Sequence, residues 1–314
     1  MKNAAKFFEY ARERQQILLR RQAGKDPPWT NDPILRKYRF CCVFREDDRT
    51  TRWFRENVRD PMNKKRDPRL LLATVVFRMF NRIETAEAIF CDDNLLGEYS
   101  AFDAFSERGD TRILRRSILK RLGNRGPFVT GSYIISTPPG HSKLDGVLAI
   151  IKRFYSGMEE FELGAGVMDT VGWRGEEGAT AILGLNSGAI TLEETWNWLR
   201  KFDYLGTFHS YEIVTDLRHT YLLNRAPDIM TWCNPGPGCR RGLNRVIGRA
   251  LGERVRREQI LSEMGELLRV SRINKYWPQK WQSWEMRDVE HQLCEWDKYE
   301  RTRLGEGRPR GVFR

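Results

Sequence analysis

The sequence predicts a mainly α-helical protein. Apolar residues recur at helical spacing in several segments, beginning with Phe7, Phe8 and Ala11 in 4–22. A dense apolar run over 70–80 is typical of a buried helix, since it is too short for a membrane span. Strand-like alternation appears over 128–137 and ends at a Pro-Pro-Gly sequence. We therefore expect helices with one small irregular or β insertion.

Loops rich in proline or glycine separate the predicted helices. A Pro-rich loop containing Trp29 follows the first helix, and the glycine-rich stretch 157–178 is typical of a loop-rich insertion. Further helices are predicted over 34–44, 68–80, 110–122, 144–155 and 286–303.

The stretch 192–248 begins with a helical hairpin. Leu192, Trp196 and Leu199 share one helical face, Gly206 suits a turn that needs positive φ, and the helical pattern then resumes. We expect helices near 192–203 and 209–221. The N–H groups at the start of the second helix form a potential phosphate site, at Gly206, Thr207 and Phe208.

Charge favours a polyanionic partner. The 314 residues carry 54 Lys and Arg and a formal net charge of +12. Binding to phosphates releases condensed counterions, and the many Arg residues can form bidentate hydrogen bonds with phosphates. A need for solubility alone would also explain a basic surface. The chain has no membrane-length apolar run and no signal-type N-terminus, so we expect no membrane partner and a cytoplasmic protein.

Cysteine spacing predicts no metal centre. The six cysteines show no paired ligand spacing, which favours free thiols in a reducing compartment. His291 and Glu295 lie one helical turn apart, and structural pairing is favoured over metal binding because two ligands do not make a site.

Long motifs resemble one phage family. It comprises the amino acid:DNA transferases, also named α-glutamyl/putrescinyl thymine pyrophosphorylases, which are related to the helical domain of 5-hydroxymethyluracil DNA kinases. The motifs are Pro28-Trp-Thr-Asn-Asp-Pro33, Phe40-Cys-Cys-Val-Phe-Arg-Glu-Asp-Asp-Arg49, Phe77-Arg-Met-Phe-Asn81, Thr215-Asp-Leu-Arg-His-Thr220, Thr231-Trp-Cys-Asn-Pro-Gly-Pro-Gly238 and Glu290-His-Gln-Leu-Cys-Glu-Trp-Asp-Lys298.

The hairpin also resembles the helix-hairpin-helix of DNA glycosylases. Gly206 matches the second hairpin glycine, and Asp228 falls in the zone of the glycosylase aspartate, about twenty residues later. Tyr204 replaces the first glycine, and Phe208 replaces the lysine of bifunctional enzymes, so β-lyase chemistry is not expected. The resemblance implies one glycosylase-like helical unit over 1–314. This unit can divide into lobes of about 30–190 and 191–270 plus the terminal helices, with a cleft between them.

The resemblance also implies the chemistry. The substrate would be double-stranded DNA that contains a modified thymine, pyrophosphorylated 5-hydroxymethyluracil. This base would flip out of the base stack, and an amine or amino acid such as glycine would displace its pyrophosphate. No cofactor is required, although Mg²⁺ can accompany the pyrophosphate.

Candidate residues fall into three groups. Asp228 is the first choice for the base that deprotonates the amine, although it could instead be a helix cap, and Asp216 is the second choice, with His219 beside it. Arg240, Arg241 and Arg245 follow a rigid Pro-Gly loop and are candidates for phosphate contact. The pocket candidates are Trp29, Arg45, Asp48, Arg49, Arg78, Asn81, Tyr211, Arg218, Trp232, Asn234, Glu290 and His291.

Two other classes of protein share these features. A glycosylase that hydrolyses the N-glycosidic bond would use the same hairpin and aspartate, whereas a non-catalytic DNA-binding module would use only the basic surface. The polar residues clustered within apolar patterns argue against the module. The identity of the amine, the carboxylate that acts as base and the oligomeric state stay open.

Overall fold

The computed structural model describes residues 1–91, 100–164 and 190–312, with the side chains of 159–164 outside that description. Within this part of the chain the regular structure is helical, and the β structure is one isolated antiparallel bridge between Tyr38 and Val312. The prediction of a mainly α protein is thus confirmed. No described helix combines the length and apolar character needed to cross a bilayer.

The α-helices are numbered in chain order. They are α1 (Ala4–Gln22), α2 (Pro33–Lys37), α3 (Arg49–Phe54), α4 (Asp60–Lys64), α5 (Leu70–Phe80), α6 (Ile83–Phe90), α7 (Ala101–Arg108), α8 (Thr111–Leu122), α9 (Lys143–Gly164), α10 (Leu192–Leu199), α11 (Thr207–Leu217), α12 (Pro237–Ile247), α13 (Arg257–Val270) and α14 (Met286–Arg303). A 3₁₀ turn covers Arg45–Asp47 and a π-helical turn covers Arg55–Arg59.

The chain forms two compact units. The first combines Met1–Asp48 with Asp228–Arg314, and the second is Arg49–Pro227. The first unit therefore joins segments from both ends of this sequence. This division runs differently from the lobes of about 30–190 and 191–270 expected from the sequence.

Close packing of α12 on α14 organises the first unit. A Cβ added to Gly242 would lie 2.0 Å from the Leu293 carbonyl oxygen, and one added to Gly238 would lie 2.7 Å from Cys294 Sγ. The two helices approach so closely because both positions lack a side chain. Aromatic rings of Phe7, Phe8, Trp277, Trp284 and Trp296 fill the core beside them.

Helix α5 is the centre of the second unit. All of its residues are buried, and it packs against α9 and α11. A capping box between Thr191 and Glu194 starts α10.

The two helices predicted near 192–203 and 209–221 are present as α10 and α11, although each ends four residues earlier than predicted. Trp196 of α10 donates its indole N–H to the carbonyl of Thr207 at 2.9 Å, which ties the two helices together. Gly206 has the expected positive φ (+30°), and Tyr204 adopts the left-handed region at +66°. The residue at the position of the first hairpin glycine therefore takes the conformation that glycine favours.

Two sequence predictions are wrong. The helix predicted over 34–44 ends at Lys37, because Tyr38 is extended and the Arg39 N–H donates to the Gly311 carbonyl instead of continuing the helix. The alternating segment 128–137 forms no strand. Its contacts go to helices, with Thr130 N–H donating to the Phe80 carbonyl and Lys143 Nζ donating to the Ile135 carbonyl.

The glycine-rich stretch 157–178 is described only in part. Through residue 164 it continues helix α9 rather than forming a loop. The remainder of the expected insertion lies outside the described residues.

Candidate functional site

The hairpin turn borders a polar cavity of about 480 Å³ in the second unit. Arg200 and Lys201, at the end of the first hairpin helix, line it together with Gly206 and Thr207 at the start of α11. Phe208 also lines it and is 46% exposed. Asp203 also lines the cavity, and its carboxylate pairs with Arg153 at 3.6 Å. The helix N-terminus and the two cations suit an anionic ligand. Three of the six predicted phosphate-contact residues, Gly206, Thr207 and Phe208, therefore line one cavity.

His209 is the least satisfied polar side chain at this cavity. It is 6% exposed, and its Nε2 has no hydrogen-bond partner among the described residues. Burial lowers the pKa of this imidazole, partly opposed by the carboxylate of Glu212. The ring is therefore neutral near pH 7.

A buried polar centre lies where α5 and α11 pack. Arg78 donates from Nη2 to Asp216 Oδ1 at 2.6 Å and from Nε to Asp216 Oδ2. It also donates to Asn81 Oδ1 at 2.8 Å and to Thr51 Oγ1 at 3.1 Å. The structure thus brings together three predicted residues, Arg78, Asn81 and Asp216. Asn81 ends α5 in the left-handed conformation, where its backbone N–H donates to the Phe77 carbonyl, while its buried side-chain oxygen accepts from Arg78.

The end of α11 carries other predicted residues. Tyr211 is buried within the helix, Arg218 is its C-cap residue, and His219 follows in a turn where its N–H donates to the Asp216 carbonyl at 3.1 Å. Arg49, another predicted residue, lies elsewhere, exposed at the first position of α3.

Both carboxylate oxygens of Asp216 accept hydrogen bonds from Arg78. This arrangement suits a positioning role better than the role of a free base.

Two of the long motifs meet in the first unit. Residues 41–43 of the first motif contact α14, the helix that carries 290–298. His291 Nε2 lies 3.2 Å from the Cys42 carbonyl oxygen, and Gln292 donates to the Val43 carbonyl at 2.7 Å. From the other side, the Cys41 N–H donates to Glu295 Oε2 at 3.1 Å. Asp48 closes the turn by accepting from the Cys42 N–H at 2.8 Å.

The buried carboxylate of Glu295 at this junction is compensated by nearby cations. Burial alone would raise the pKa of Glu295, but the Lys298 ammonium and the Arg14 guanidinium outweigh it and hold the pKa at about 2. Arg14 also donates to Gln292 Oε1 at 2.6 Å and to the Cys41 carbonyl. Burial lowers the pKa of His291, which keeps its imidazole neutral. The junction is therefore a fixed network of two carboxylates (Glu295 and Asp48), the cations Arg14 and Lys298, and a neutral imidazole.

The basic residues of α12 serve other contacts. Arg241 and Arg245 donate to the two oxygens of Asp297 at 2.9 and 3.0 Å, and Arg245 also pairs with Glu306. Arg240 is exposed, although its Nε donates to the Pro235 carbonyl. Phosphate contact stays a prediction for all three, and Arg240 is the residue whose exposure suits it best.

Asp228 opens a turn. Its carbonyl accepts from the N–H groups of Thr231 and Trp232, at 3.0 and 2.8 Å, and the residue is partly buried. The next helix begins only at Pro237, so the helix-cap alternative for Asp228 does not describe this turn. Trp232 is buried beside it and Asn234 is partly buried.

Trp29 lines a separate, larger cavity of about 1090 Å³ in the first unit. Tyr10, Trp296 and Tyr299 add aromatic surface, and acidic residues including Glu13 lie among basic ones. Mixed charge and aromatic walls suit a small zwitterion or amine.

The sequence reasoning missed Arg14, Thr51, Gln292 and Lys298. Arg14 gave a signal, since it is a charge on the buried face of the amphipathic helix α1. Lys298 gave one as well, since it lies one helical turn after Glu295. Thr51 and Gln292 gave none, because their partners are distant in the chain.

Comparison with known proteins identifies the family. Residues 2–308 match the family described as 5-hmdU DNA kinase, helical domain. The chain belongs to this family. One similar protein is the 5-hmdU DNA kinase of Bacillus phage SP10, which is 26% identical over 309 residues. The alignment covers 91% of this chain and 43% of that protein, so the chain spans less than half of its relative. No solved structure matches this helical-domain protein.

Proposed function

We propose that this protein modifies thymine-derived bases in phage DNA as an amino acid:DNA transferase. The amine nitrogen bonds to the methylene carbon on C5 of pyrophosphorylated 5-hydroxymethyluracil, the bond from that carbon to the pyrophosphate oxygen breaks, pyrophosphate leaves, and one proton leaves the nitrogen. Family membership supports the choice of DNA base, since the phage SP10 relative is named for 5-hmdU in DNA. The reaction would take place in the cytoplasm of the infected cell.

The observation that carries this proposal is the junction of 40–48 with 290–298. Its residues include a buried carboxylate held ionised, a neutral imidazole and the cations Arg14 and Lys298. Burying charges is costly unless they are paired, and a module that only binds DNA gains nothing from it. An enzyme needs such fixed dipoles to stabilise charge that develops during reaction.

DNA binding is assigned to the second unit. The net charge of +12 favours a polyanion, and the cavity at the hairpin turn offers Arg200, Lys201 and the start of α11 to a phosphate. This arrangement suits the helix-hairpin-helix DNA glycosylase-like fold, which we propose for the domain.

The amine co-substrate fits the cavity beside Trp29 in the first unit. Its acidic and basic residues could hold the ammonium and carboxylate of an amino acid such as glycine, and its aromatic rings could hold a longer amine. Asp228 is the proposed base.

Mass spectrometry of nucleosides tests the reaction. The protein is incubated with double-stranded DNA that carries pyrophosphorylated 5-hydroxymethyluracil, together with glycine or putrescine, with Mg²⁺ or with a chelator. We expect a base whose mass rises by the amine, together with released pyrophosphate. Abasic sites would support the glycosylase instead, and unchanged DNA that is still bound would support the binding module. DNA with unmodified thymine is the control.

A salt series tests the DNA surface. Lys201→Ala should weaken binding across sequences and reduce the slope of log affinity against log salt by about 1, because one phosphate contact is lost. Arg112→Ala is the matched control, since this exposed cation pairs with Asp110 away from the cavity. Equal effects of the two substitutions would contradict a phosphate contact at the hairpin.

A further inference from the structure

We propose that Cys41, Asp48 and His291 form a binding site for a divalent transition metal of the zinc class. Each offers one donor atom, a thiol sulfur, a carboxylate oxygen or an imidazole nitrogen, and the three atoms lie within 4.8 Å of one another. Small side-chain rotations bring such atoms to the spacing of ligands around one ion.

The donor set decides the class of metal. Magnesium and calcium prefer oxygen ligands, whereas one sulfur, one nitrogen and one oxygen suit zinc or cobalt. Three protein ligands leave a fourth tetrahedral position for water or a substrate oxygen, the pattern of catalytic rather than structural zinc.

Hydrogen bonds already orient two of the ligands. His291 Nε2 lies 3.2 Å from the Cys42 carbonyl, and a ring that donates one N–H to a carbonyl presents its other nitrogen unprotonated. Asp48 Oδ1 accepts from the Cys42 N–H at 2.8 Å, and the Cys42 thiol bonds the same carboxylate. These second contacts fix ring and carboxylate in the way that metal ligands require.

Charge at the junction permits a cation. Arg14, Arg45 and Lys298 are the basic groups that act on the ligands or on Glu295 beside them. Lys298 pairs with Glu295, and Arg14 donates to the backbone carbonyls of Cys41 and Cys42. The Asp48 carboxylate and a Cys41 thiolate would therefore balance the two charges of the ion, with the thiol proton released to solvent.

Folding alone creates this arrangement. Cys41 and Asp48 share one turn, whereas His291 comes from α14. A search for short ligand spacings therefore misses it, which is why the sequence predicted no metal.

Metal titration of the full chain tests the site. The protein is stripped with a chelator, dialysed against Zn²⁺ or Co²⁺, and assayed for metal content and for the cobalt–thiolate absorption band. We expect about one ion per chain and the band. Cys41→Ser should remove the band, and His291→Gln and Asp48→Asn should each weaken affinity at least about 10-fold.

Cys42→Ser is the matched control. Its hydroxyl replaces the neighbouring thiol and preserves the backbone contacts, so the band and affinity should persist. Two results on the wild-type protein alone would overturn the proposal: binding of no ion, or binding of Co²⁺ without a thiolate band. Loss of the band in Cys42→Ser with retention in Cys41→Ser would overturn it as well.

Discussion

Arg78 and Asp216 form a bidentate ion pair in the interior of the second unit. Their side chains are each 1% exposed, and they come from two helices, α5 and α11, that are distant in the chain. Asn81 and Thr51 accept further hydrogen bonds from the same guanidinium. The guanidinium is thus satisfied from three directions, which is the condition under which a buried charge persists.

Removing one partner of this pair should destabilise the protein strongly. We expect Asp216→Asn or Arg78→Met to lower the free energy of unfolding by about 3–5 kcal/mol, because one charge stays buried without its partner. The double variant Arg78→Met with Asp216→Leu should recover part of that loss. Asp110→Asn, which breaks the exposed pair with Arg112, is the control and should cost less than about 1 kcal/mol.

Urea denaturation measures these differences. If Asp216→Asn kept the stability of the wild type and lost only transfer activity, the carboxylate would be a base rather than a structural partner.

Gly242 should tolerate no side chain. Its added Cβ would lie 2.0 Å from the Leu293 carbonyl oxygen, so α12 and α14 would have to separate. We expect Gly242→Ala to cost more than about 1–3 kcal/mol, the usual range for overpacking, because the obstacle is backbone.

Gly265→Ala is the matched control for that substitution. This glycine also lies inside a helix, α13, but its nearest atom is Met286 Cε at 3.9 Å. Alanine there should stabilise by up to about 1 kcal/mol through helix propensity. Thermal unfolding of both variants checks the pair, and equal shifts would contradict the close approach of α12 and α14.

The free energy of unfolding should decrease as the pH falls, because His209 takes up a proton. Burial lowers its pKa below the usual 6.5, so the unfolded chain binds more protons than the folded one between the two values. Its contribution is therefore complete above about pH 6.5 and is lost as pH falls toward the folded pKa.

A single substitution isolates this titration. His209→Leu should show a smaller fall in unfolding free energy between about pH 8 and pH 5 than the wild type does. Phe208→Leu, which changes the neighbouring ring and leaves the imidazole, should keep the wild-type profile. Identical profiles for wild type and His209→Leu would show that the imidazole does not titrate in this range.

Asp228→Asn should slow transfer without abolishing DNA binding. General-base catalysis typically contributes about 10²–10⁴-fold, and raising the pH should partly rescue the variant, since a free α-amine has a pKa of about 7.7–8.0. Rates of modified-nucleoside formation across pH measure this. Full activity in a folded Asp228→Asn variant would remove the role, and full activity in Asp216→Asn as well would exclude carboxylate catalysis by this pair.

The sequence by itself determined the helical class, the hairpin and the basic character. Helical periodicity over α1, α5 and α14 is local information, and so is the turn at Gly206, because both depend on residues a few positions apart. The same local reasoning failed at 34–44 and at 128–137, where backbone groups bond to distant segments.

Only the tertiary structure decided the partners of the polar residues. Arg78 was predicted as a pocket residue, but its bidentate contact with Asp216 exists because α5 and α11 pack together. Arg245 was predicted to contact phosphate, but packing of α12 on α14 gives it Asp297. The pairing of charges distant in sequence follows from which helices share a core, and no local pattern encodes that choice.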